Sequence, residues 1–456
     1  MTTDDDAASD DHEEDGDADL DDVDDTPEGT DADFSGDTTR SLDVPEHPTA
    51  DPDFDALGAN TRSSAELAAF LSGDLKTIFV HKSHQYSSGL NRVVGESRAQ
   101  AAGRCGVGLI VPCRQAEGSV RSFVSKFPNT AIRFIDPEVH LHKEHFDDVS
   151  DTAMKHWPHL VQPLPSTPDA AWTTRRLAEQ VRCGATVLLT PTGTLDAATA
   201  AASLKATMDH VALARSIVGG APMFVNITVA HQWLTKSALR DQLLEEIVDS
   251  HEPNWFVRVH WPIVEPTYGQ LNDRQVLDGY QELVAVCADE DKVLVLPNSD
   301  LTGWVALALG ANGFGTATSI SDRHFGAVRI IKSPPGQPKP VPKKRYFSTP
   351  FIHTIEQPTH AQLVGQPNYT SCGCTFCTAL QPDLNPPPNW KLNLVGYHYV
   401  HSAAALTAAV ALGDSRRNAR RTVRAARQLI AALPAPVKPT GDDVPHHLDT
   451  WSSLLT

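Results

Sequence analysis

Residues 292–316 read KVLVLPNSDLTGWVALALGANGFGT and contain two short apolar runs, at 292–296 and 313–316. Short runs of this kind, rich in residues that favour β-structure, are typical of buried strands. The same alternation of β-rich runs with segments of helical period extends back to about residue 76. This pattern predicts a parallel sheet that is covered by helices.

Eight such runs follow one another along the chain. The predicted strands are residues 77–80, 107–112, 131–135, 185–189, 223–228, 255–260, 292–296 and 313–316. Between them, residues 197–217 and 273–288 keep apolar side chains at helical spacing. Eight strand–helix units predict an α/β fold, a closed (β/α)8 barrel of the TIM type. An open, doubly wound sheet is the alternative, but no glycine-rich dinucleotide motif follows the first strand.

Negative charge is concentrated at the N-terminus. Residues 1–56 hold 23 Asp and Glu against Arg40 alone, whereas residues 57–456 hold 34 acidic and 37 basic residues. So few apolar side chains cannot offset the entropy of ordering, and we predict a disordered acidic tail. The tail is either a solubilising extension or a polyanionic strip that competes with nucleic acid. This N-terminus, with no long apolar stretch after it, predicts a cytoplasmic protein that does not enter membranes.

Three of the seven cysteines, Cys372, Cys374 and Cys377, form a C-x-C-x2-C pattern, and His398 and His401 follow them. Zinc prefers tetrahedral coordination by sulfur and imidazole, so the pattern predicts one zinc ion held by the three cysteines and one of the two histidines. Four protein ligands leave no open coordination position, so the zinc is expected to be structural. A redox dithiol is the alternative, although two cysteines would suffice for it.

Basic side chains lie on both sides of the cysteine cluster. A predicted loop at 331–350 is rich in proline and lysine, and six arginines fall within twelve residues of a helical region at about 400–433. The residues predicted to contact phosphates of nucleic acid are Lys343, Lys344, Arg345, Arg416, Arg417, Arg420 and Arg424. A solvated helix face is the alternative interpretation of the arginines.

These features divide the chain into four predicted segments. They are the acidic tail at 1–56, the barrel at 57–330, the basic proline-rich loop at 331–350, and a zinc-binding module with an arginine-rich helix at 351–456. The order of an eightfold α/β pattern, a C-x-C-x2-C motif and a later histidine is specific enough to suggest a family.

In that order of features the chain resembles the tRNA-guanine transglycosylase superfamily, including its relatives that insert 7-deazaguanine bases into DNA. His401-Ser-Ala-Ala-Ala-Leu resembles the start of the family's ligand-bearing helix, which makes His401 the expected fourth zinc ligand. Residues 190–218 are similar to the family's fourth strand and the helix after it, and residues 224–232 to its fifth strand. Residues 294–315 are similar to its seventh and eighth strands.

The departures from the family concern its catalytic residues. The nucleophilic Asp of the family corresponds to Gly315, which cannot form a covalent glycosyl intermediate. Its base-recognising Asp corresponds to Thr190, and the Gly-Gly of its fifth-strand turn to Ala230-His231. Asp136 falls where the family places its general base.

Two functions follow from the resemblance. The first is a divergent enzyme that exchanges a base at a guanine N-glycosidic bond of tRNA or DNA, with Asp136 and either Asp300 or Asp322 as its two carboxylates. Asp136 and Asp300 are also good helix N-caps, which is the structural alternative. The second is a non-catalytic barrel that binds nucleic acid or serves a catalytic partner, because Gly315 replaces the nucleophile. Pairing of barrels in the family implies a homodimer or heterodimer.

Overall fold

The structure of this chain is a computed structural model, and the residues it describes are 53–83, 87–113, 117–141, 164–265, 268–326, 344–384 and 388–456. Nearly all of the predicted acidic tail and most of the predicted basic loop, including Lys343, lie outside these ranges.

Eight parallel strands form the barrel, and they follow one another around it in chain order. They are β1 (Thr77–His81), β2 (Gly106–Pro112), β3 (Arg133–Asp136), β4 (Leu188–Leu189), β5 (Met223–Ala230), β6 (Asn254–His260), β7 (Val293–Leu296) and β8 (Gly313–Ala317). β1 pairs with both β2 and β8, and a parallel bridge between Phe134 and Val187 joins β3 to the segment before β4. The predicted (β/α)8 barrel is confirmed, and the bridge excludes the open sheet.

Helices surround the barrel and extend into the C-terminal region. They are α1 (Phe54–Ser63), α2 (Ala65–Leu71), α3 (Leu90–Ala101), α4 (Glu117–Val124), α5 (Ala170–Arg182), α6 (Ala200–Val218), α7 (Gln232–Thr235), α8 (Ser237–Asp249), α9 (Arg274–Asp289), α10 (Asp300–Leu309), α11 (Gln357–Leu363), α12 (Thr375–Leu380), α13 (Leu392–Val410), α14 (Ser415–Ala432) and α15 (His447–Leu454). Among the described residues, none of these helices has both the length and the apolar character needed to cross a lipid bilayer.

Aromatic side chains fill the lower part of the barrel. Phe79, Phe134, Phe224 and Phe256 point inward from four strands and are fully buried. Phe70 of α2 joins them from below, with its ring stacked on that of Phe224 at a centroid distance of 5.7 Å. Because this end is packed solid, polar chemistry is confined to the opposite mouth, where the strands end.

β4 is much shorter than the predicted run at 185–189. The backbone N–H of Asn226 donates to the side-chain hydroxyl of Thr190 at 2.8 Å instead of to a backbone carbonyl of the neighbouring strand. The buried Thr192 hydroxyl then donates to the Asn226 carbonyl. Side-chain hydrogen bonds therefore join the two segments between the backbone bond from Thr190 N–H to the Phe224 carbonyl and the parallel bridge of Thr194 with Thr228.

The eighth helix of the barrel is α13, which lies beyond the predicted barrel boundary at 330. It packs between α3 and α10 and covers β8 and β1. The approach is so close at Gly396 that an added Cβ would lie 2.6 Å from the carbonyl oxygen of Thr318. Residues 318–391 are therefore an insert between the last strand and the last helix of the barrel.

The insert contains an antiparallel pair, β9 (Arg345–Ser348) and β10 (His353–Glu356), with α11 and α12. Arg345 of β9 is buried, and its guanidinium pairs with Glu356 at 3.2 Å and Asp443 at 2.6 Å. It also donates to the backbone carbonyls of Thr354 and Asp442. The insert is thus fixed to the C-terminal segment by a buried cation.

One consequence is a dependence of stability on pH. Burial lowers the pKa of His353 to about 4, and its Nε2 lies 2.9 Å from the Asp442 carbonyl. In the unfolded chain the His353 imidazole has its ordinary pKa of about 6.5, so below that pH the unfolded state binds a proton that the folded state does not bind. The free energy of unfolding should therefore fall by about 3 kcal/mol as the pH drops from 6.5 to 4. In urea titrations of His353→Gln, the free energy of unfolding should change less with pH between 6.5 and 4. The surface variant His251→Gln should keep the original slope; equal slopes in all three proteins would contradict the prediction.

Candidate metal centre and barrel mouth

Three cysteines of the insert meet a histidine of the barrel's last helix. The ligand atoms of Cys372, Cys374, Cys377 and His398 all lie within 4.8 Å of one another. Cys374 is the N-cap of α12, and its Sγ accepts a hydrogen bond from the Cys377 N–H at 3.4 Å. One helix start therefore presents two sulfurs on the same side, and the group can hold a metal ion with three sulfurs and one nitrogen.

The imidazole of His398 is oriented for coordination. Its Nδ1 lies 3.5 Å from Cys374 Sγ and 3.4 Å from Cys377 Sγ, while its Nε2 lies 2.8 Å from the carbonyl oxygen of Phe347. A proton on Nε2 can be donated to that carbonyl, which leaves the Nδ1 lone pair directed at the sulfurs. A second hydrogen bond that fixes the tautomer in this way is typical of metal-binding histidines. The ring of Tyr346 stacks on His398 with centroids 4.5 Å apart.

The thiols of the cluster differ in acidity, and hydrogen bonds with Cys372 and then Cys374 raise the pKa of the Cys377 thiol. Hydrogen bonds from Cys372 and then Cys377 lower the pKa of the Cys374 thiol well below its usual range. Burial lowers the pKa of His398, but hydrogen bonds to Cys372 and Cys374 outweigh it and raise the pKa to about 9. A thiolate here thus attracts a cation, which is either a proton on the imidazole or a metal ion.

His401, the fourth ligand expected from the resemblance, also faces the sulfurs. Hydrogen bonds to Cys372 and Cys374 raise its pKa to about 9 against the effect of burial. Its Nδ1 is buried and lacks a hydrogen-bond partner among the described residues. His398 nevertheless completes the tight group of ligand atoms, and His401 does not. The structure therefore favours His398, one turn earlier on α13.

The two histidines can be separated by experiment. We expect His398→Ala to weaken metal binding at least about 100-fold, because it removes the best-placed ligand, and His401→Ala to weaken it by about 10-fold or less. Competition with a chromogenic chelator measures both affinities. The reverse ranking would assign the fourth position to His401.

Arg258 of β6 is the centre of the barrel mouth, and the sequence analysis missed it. Its guanidinium forms an ion pair with Asp136 at the end of β3, and the exposed fractions of the two side chains are 1% and 4%. It also contacts His140 Nδ1 at 3.0 Å, Asn298 Oδ1 at 3.2 Å and Thr228 Oγ1 at 3.3 Å. The sequence feature that could have indicated this role is a single arginine within an otherwise apolar strand. Asp136 thus lies at the end of the third strand, as predicted, but its carboxylate forms an ion pair with Arg258.

Asp300, the second predicted catalytic carboxylate, has partners different from those of Asp136. It opens α10, is 3% exposed, and accepts hydrogen bonds from Gln270 at 2.6 Å and Thr316 at 2.7 Å. The hydroxyl of Tyr399 on α13 donates to it as well. Through Tyr399, Asp300 fastens α13 to the barrel.

The side chain of His81 fills the space next to Gly315 at the barrel mouth. A Cβ added at Gly315 would collide with Nε2 of the buried His81 and lie 3.0 Å from the Asn298 nitrogen. The Asn298 N–H donates to His81 Nε2 at 3.2 Å, and a left-handed backbone at Asn298 (φ 47°) supports this direction. The imidazole therefore occupies the space that a side chain at position 315 would need.

The predicted basic surface is divided by the structure. Lys344 is near the surface and donates to Asn389 Oδ1 at 2.8 Å. Arg345 is buried in its ion pairs with Glu356 and Asp443, so its assignment as a phosphate contact is corrected. Lys343 lies outside the described residues.

The arginines of α14 do lie on the surface. Ala419, Val423 and Ala426 bury one side of this helix, while the arginines are exposed. We call four of them the arginine face: Arg417, Arg420, Arg421 and Arg424. Like charges three and four residues apart cost about 0.3 kcal/mol per pair in a helix. In the part of the chain that the structure describes, no carboxylate forms an ion pair with this face, although Asp449 pairs with the neighbouring Arg427 at 2.8 Å.

The fold and the cluster define a class of protein, a (β/α)8 barrel with an insert that carries a Cys3His candidate metal site. No family model matches the chain, and no match to it was found among curated proteins or solved structures. The likeness to transglycosylases therefore rests on the sequence motifs.

Proposed function

We propose that this chain is a zinc-containing, transglycosylase-like barrel that binds tRNA or DNA and does not itself exchange a base. The observation that carries the proposal is the packing at Gly315, where the imidazole of His81 fills the space of the expected nucleophile. Without a group at this position, no covalent glycosyl intermediate can form by the family's route.

The state of the carboxylates supports the same conclusion. Chemistry at a glycosidic bond uses two carboxyl groups on opposite sides of the sugar. Asp136 accepts from Arg258 and from the backbone of Glu138, whereas Asp300 is engaged by Gln270 and Tyr399. Neither carboxylate presents an unused oxygen to a substrate.

Zinc is the metal that best fits the cluster. Three sulfurs and an imidazole nitrogen are a typical set for structural zinc, and hard cations such as magnesium prefer oxygen. Cys372, Cys374, Cys377 and His398 would hold it, and the bound ion would supply a cross-link between the insert and α13. His398 already positions its Nδ1 by means of the Phe347 carbonyl.

Nucleic acid is the proposed partner because of the arginine face. Four guanidinium groups without acidic partners among the described residues lie along one exposed side of a helix. Phosphates neutralise such a surface and release counterions. A second barrel chain with its own nucleophile would then supply the chemistry, with this chain as its accessory subunit.

A base-exchange assay tests the proposal. The purified full chain is incubated with tRNA or duplex DNA and labelled guanine or 7-deazaguanine, and incorporation and binding are measured on the same samples. We expect binding without incorporation. Incorporation that Asp136→Asn abolishes would support the second candidate, a divergent enzyme, which the position of Asp136 at the barrel mouth favours.

The arginine face gives a further prediction. Replacing Arg417, Arg420 and Arg424 with glutamine should weaken binding of duplex DNA at least about tenfold at low salt. It should also reduce the slope of log affinity against log salt by about 3, because three phosphate contacts are lost. Fluorescence anisotropy over a salt series measures both quantities.

A matched control has the same charge change elsewhere. Arg121, Lys126 and Lys236 are exposed basic residues elsewhere in the fold. Replacing these three with glutamine should leave the salt slope within about 1 of the original. Equal effects of the two triple variants would show that net charge, and not the arginine face, governs binding.

A further inference from the structure

The surface of α8 carries an acidic counterpart to the arginine face. Asp241, Glu245 and Asp249 are exposed and repeat every four residues, so they lie on one side of this helix. We call these three residues the acidic face. In the part of the chain that the structure describes, no basic side chain forms an ion pair with Glu245 or Asp249, and Asp241 has only a contact of 3.9 Å with Arg240. The acidic face therefore has negative charge available for a partner.

Apolar surface accompanies this negative charge. Val248 is 43% exposed, and together with Leu244 and the acidic face it lines a shallow depression of about 330 Å³. Burial and then the charge of Asp249 raise the pKa of the Glu246 carboxyl, so negative charges are closely spaced on α8. A partner that suits this surface needs cations on long apolar stems, which is the chemistry of arginine.

We propose that the arginine face of one copy of this chain docks on the acidic face of a second copy. The spacings agree, because residues 241–249 span about 12 Å of helix and residues 417–424 about 10.5 Å, at about 1.5 Å per residue. Antiparallel helices then give three pairs of opposite charge, which are Asp249 with Arg417, Glu245 with Arg420, and Asp241 with Arg424. The stems of these arginines cover Val248 and Leu244.

The contact joins two molecules because the two faces belong to different parts of the barrel wall. α8 packs against α7 and α9, whereas α14 packs against α10, α13 and α15. Both faces are exposed in the structure, so each needs a second copy as its partner. Since the two surfaces differ, the association is head to tail, and every added copy leaves one face of each kind free. One pair of helices buries less than about 1,200 Å² in total, so the association is weak and reversible.

Reversal of charge on each face tests the proposal, and the test contains no nucleic acid. The acidic-face variant has three lysine substitutions, Asp241→Lys, Glu245→Lys and Asp249→Lys. The arginine-face variant has three glutamate substitutions, Arg417→Glu, Arg420→Glu and Arg424→Glu. The readout is the weight-average mass of the full chain in sedimentation equilibrium at about 50 mM salt, where charge contacts are weakly screened.

We expect the mass of the native chain to rise with concentration beyond that of two copies. Each variant should associate at least about tenfold more weakly, because like charges then face each other. An equimolar mixture of the two variants should regain the native association to within about threefold, since each variant offers the face that the other needs. Salt at about 500 mM should abolish the association of the native chain.

Four outcomes would overturn the proposal. The first is a native chain that stays monomeric at about 100 µM, a concentration at which weak interfaces are populated. The second is a mass that stops at two copies, which would indicate a symmetric interface. The third is an association that survives reversal of the acidic face. The fourth is a mixture that stays monomeric although both variants keep the circular dichroism of the native chain.

A matched control distinguishes the acidic face from net charge. Asp55, Asp74 and Glu290 are exposed acidic residues elsewhere in the fold. Their replacement with lysine should leave the association within about twofold of the native value, and a loss as large as in the acidic-face variant would overturn the proposal. Because no assay contains nucleic acid, a failure of DNA binding would contradict the proposed function and leave this self-association standing.

Discussion

Removal of the metal should destabilise the protein strongly. We expect Cys374→Ser to reduce the zinc content from about one ion per chain to nearly none, and to lower the free energy of unfolding by at least about 4 kcal/mol. The physical reason is that a bound ion would link α12 to α13, and α13 is also the last helix of the barrel. A serine hydroxyl can still cap α12, so the effect reports the lost metal rather than a lost cap.

Elemental analysis and thermal unfolding measure this effect. The melting temperature should fall on the order of 10 °C in Cys374→Ser and in chelator-treated protein, and added zinc should restore only the latter. Cys287 is a buried thiol of α9 and serves as the control. Cys287→Ala should keep the metal and lose about 1 kcal/mol. Unchanged stability after complete metal removal would show that the cluster has no structural role.

The second large effect is expected at the barrel mouth. Arg258→Met should lower the free energy of unfolding by about 3–5 kcal/mol, because it leaves the Asp136 carboxylate buried without its cation. Asn298 and Thr228 lose a donor at the same time. Adding Asp136→Asn removes the uncompensated charge, so the double variant should be more stable than Arg258→Met alone.

Urea unfolding of the single and the double variant gives these values. The matched control is Arg98→Met, since Arg98 pairs with Glu66 at 2.7 Å while about a quarter of each side chain is exposed. Its loss should be about 1 kcal/mol or less. A loss of the same size in Arg258→Met would show that the ion pair is hydrated and does not organise the mouth.

The barrel could be predicted from the sequence because its signal is repeated and local. Buried parallel strands require continuous apolar runs, and each of the eight runs overlaps a strand, although β4 occupies only the end of its run. The role of α13 could not be predicted in this way. It is separated from β8 by the insert at 318–391, and chain order does not show which helix packs on which strand.

The site was predictable only where the residues are neighbours in sequence. The three cysteines share one turn, so their spacing indicated a cluster, whereas His398 and His401 lie one turn apart on α13 and the pattern alone did not separate them. Position at a strand end likewise did not show that Asp300 accepts a hydrogen bond from Tyr399.

Arg345 and Arg258 illustrate the same limit for charged residues. Arg345 follows two lysines in a segment that suggests an exposed basic surface, yet its partner Asp443 is 98 residues away in sequence. Arg258 and Asp136 are separated by 122 residues. Buried ion pairs of this kind join residues that are distant in sequence, so local composition does not predict them.

A closed structural metal site is expected to join the insert to the barrel. X-ray absorption at the zinc edge of the purified full chain identifies the ligands of the ion. We expect three sulfurs at about 2.3 Å and one nitrogen at about 2.0 Å, with no oxygen ligand. Absence of zinc, or a first shell that contains water oxygen and fewer than three sulfurs, would contradict it.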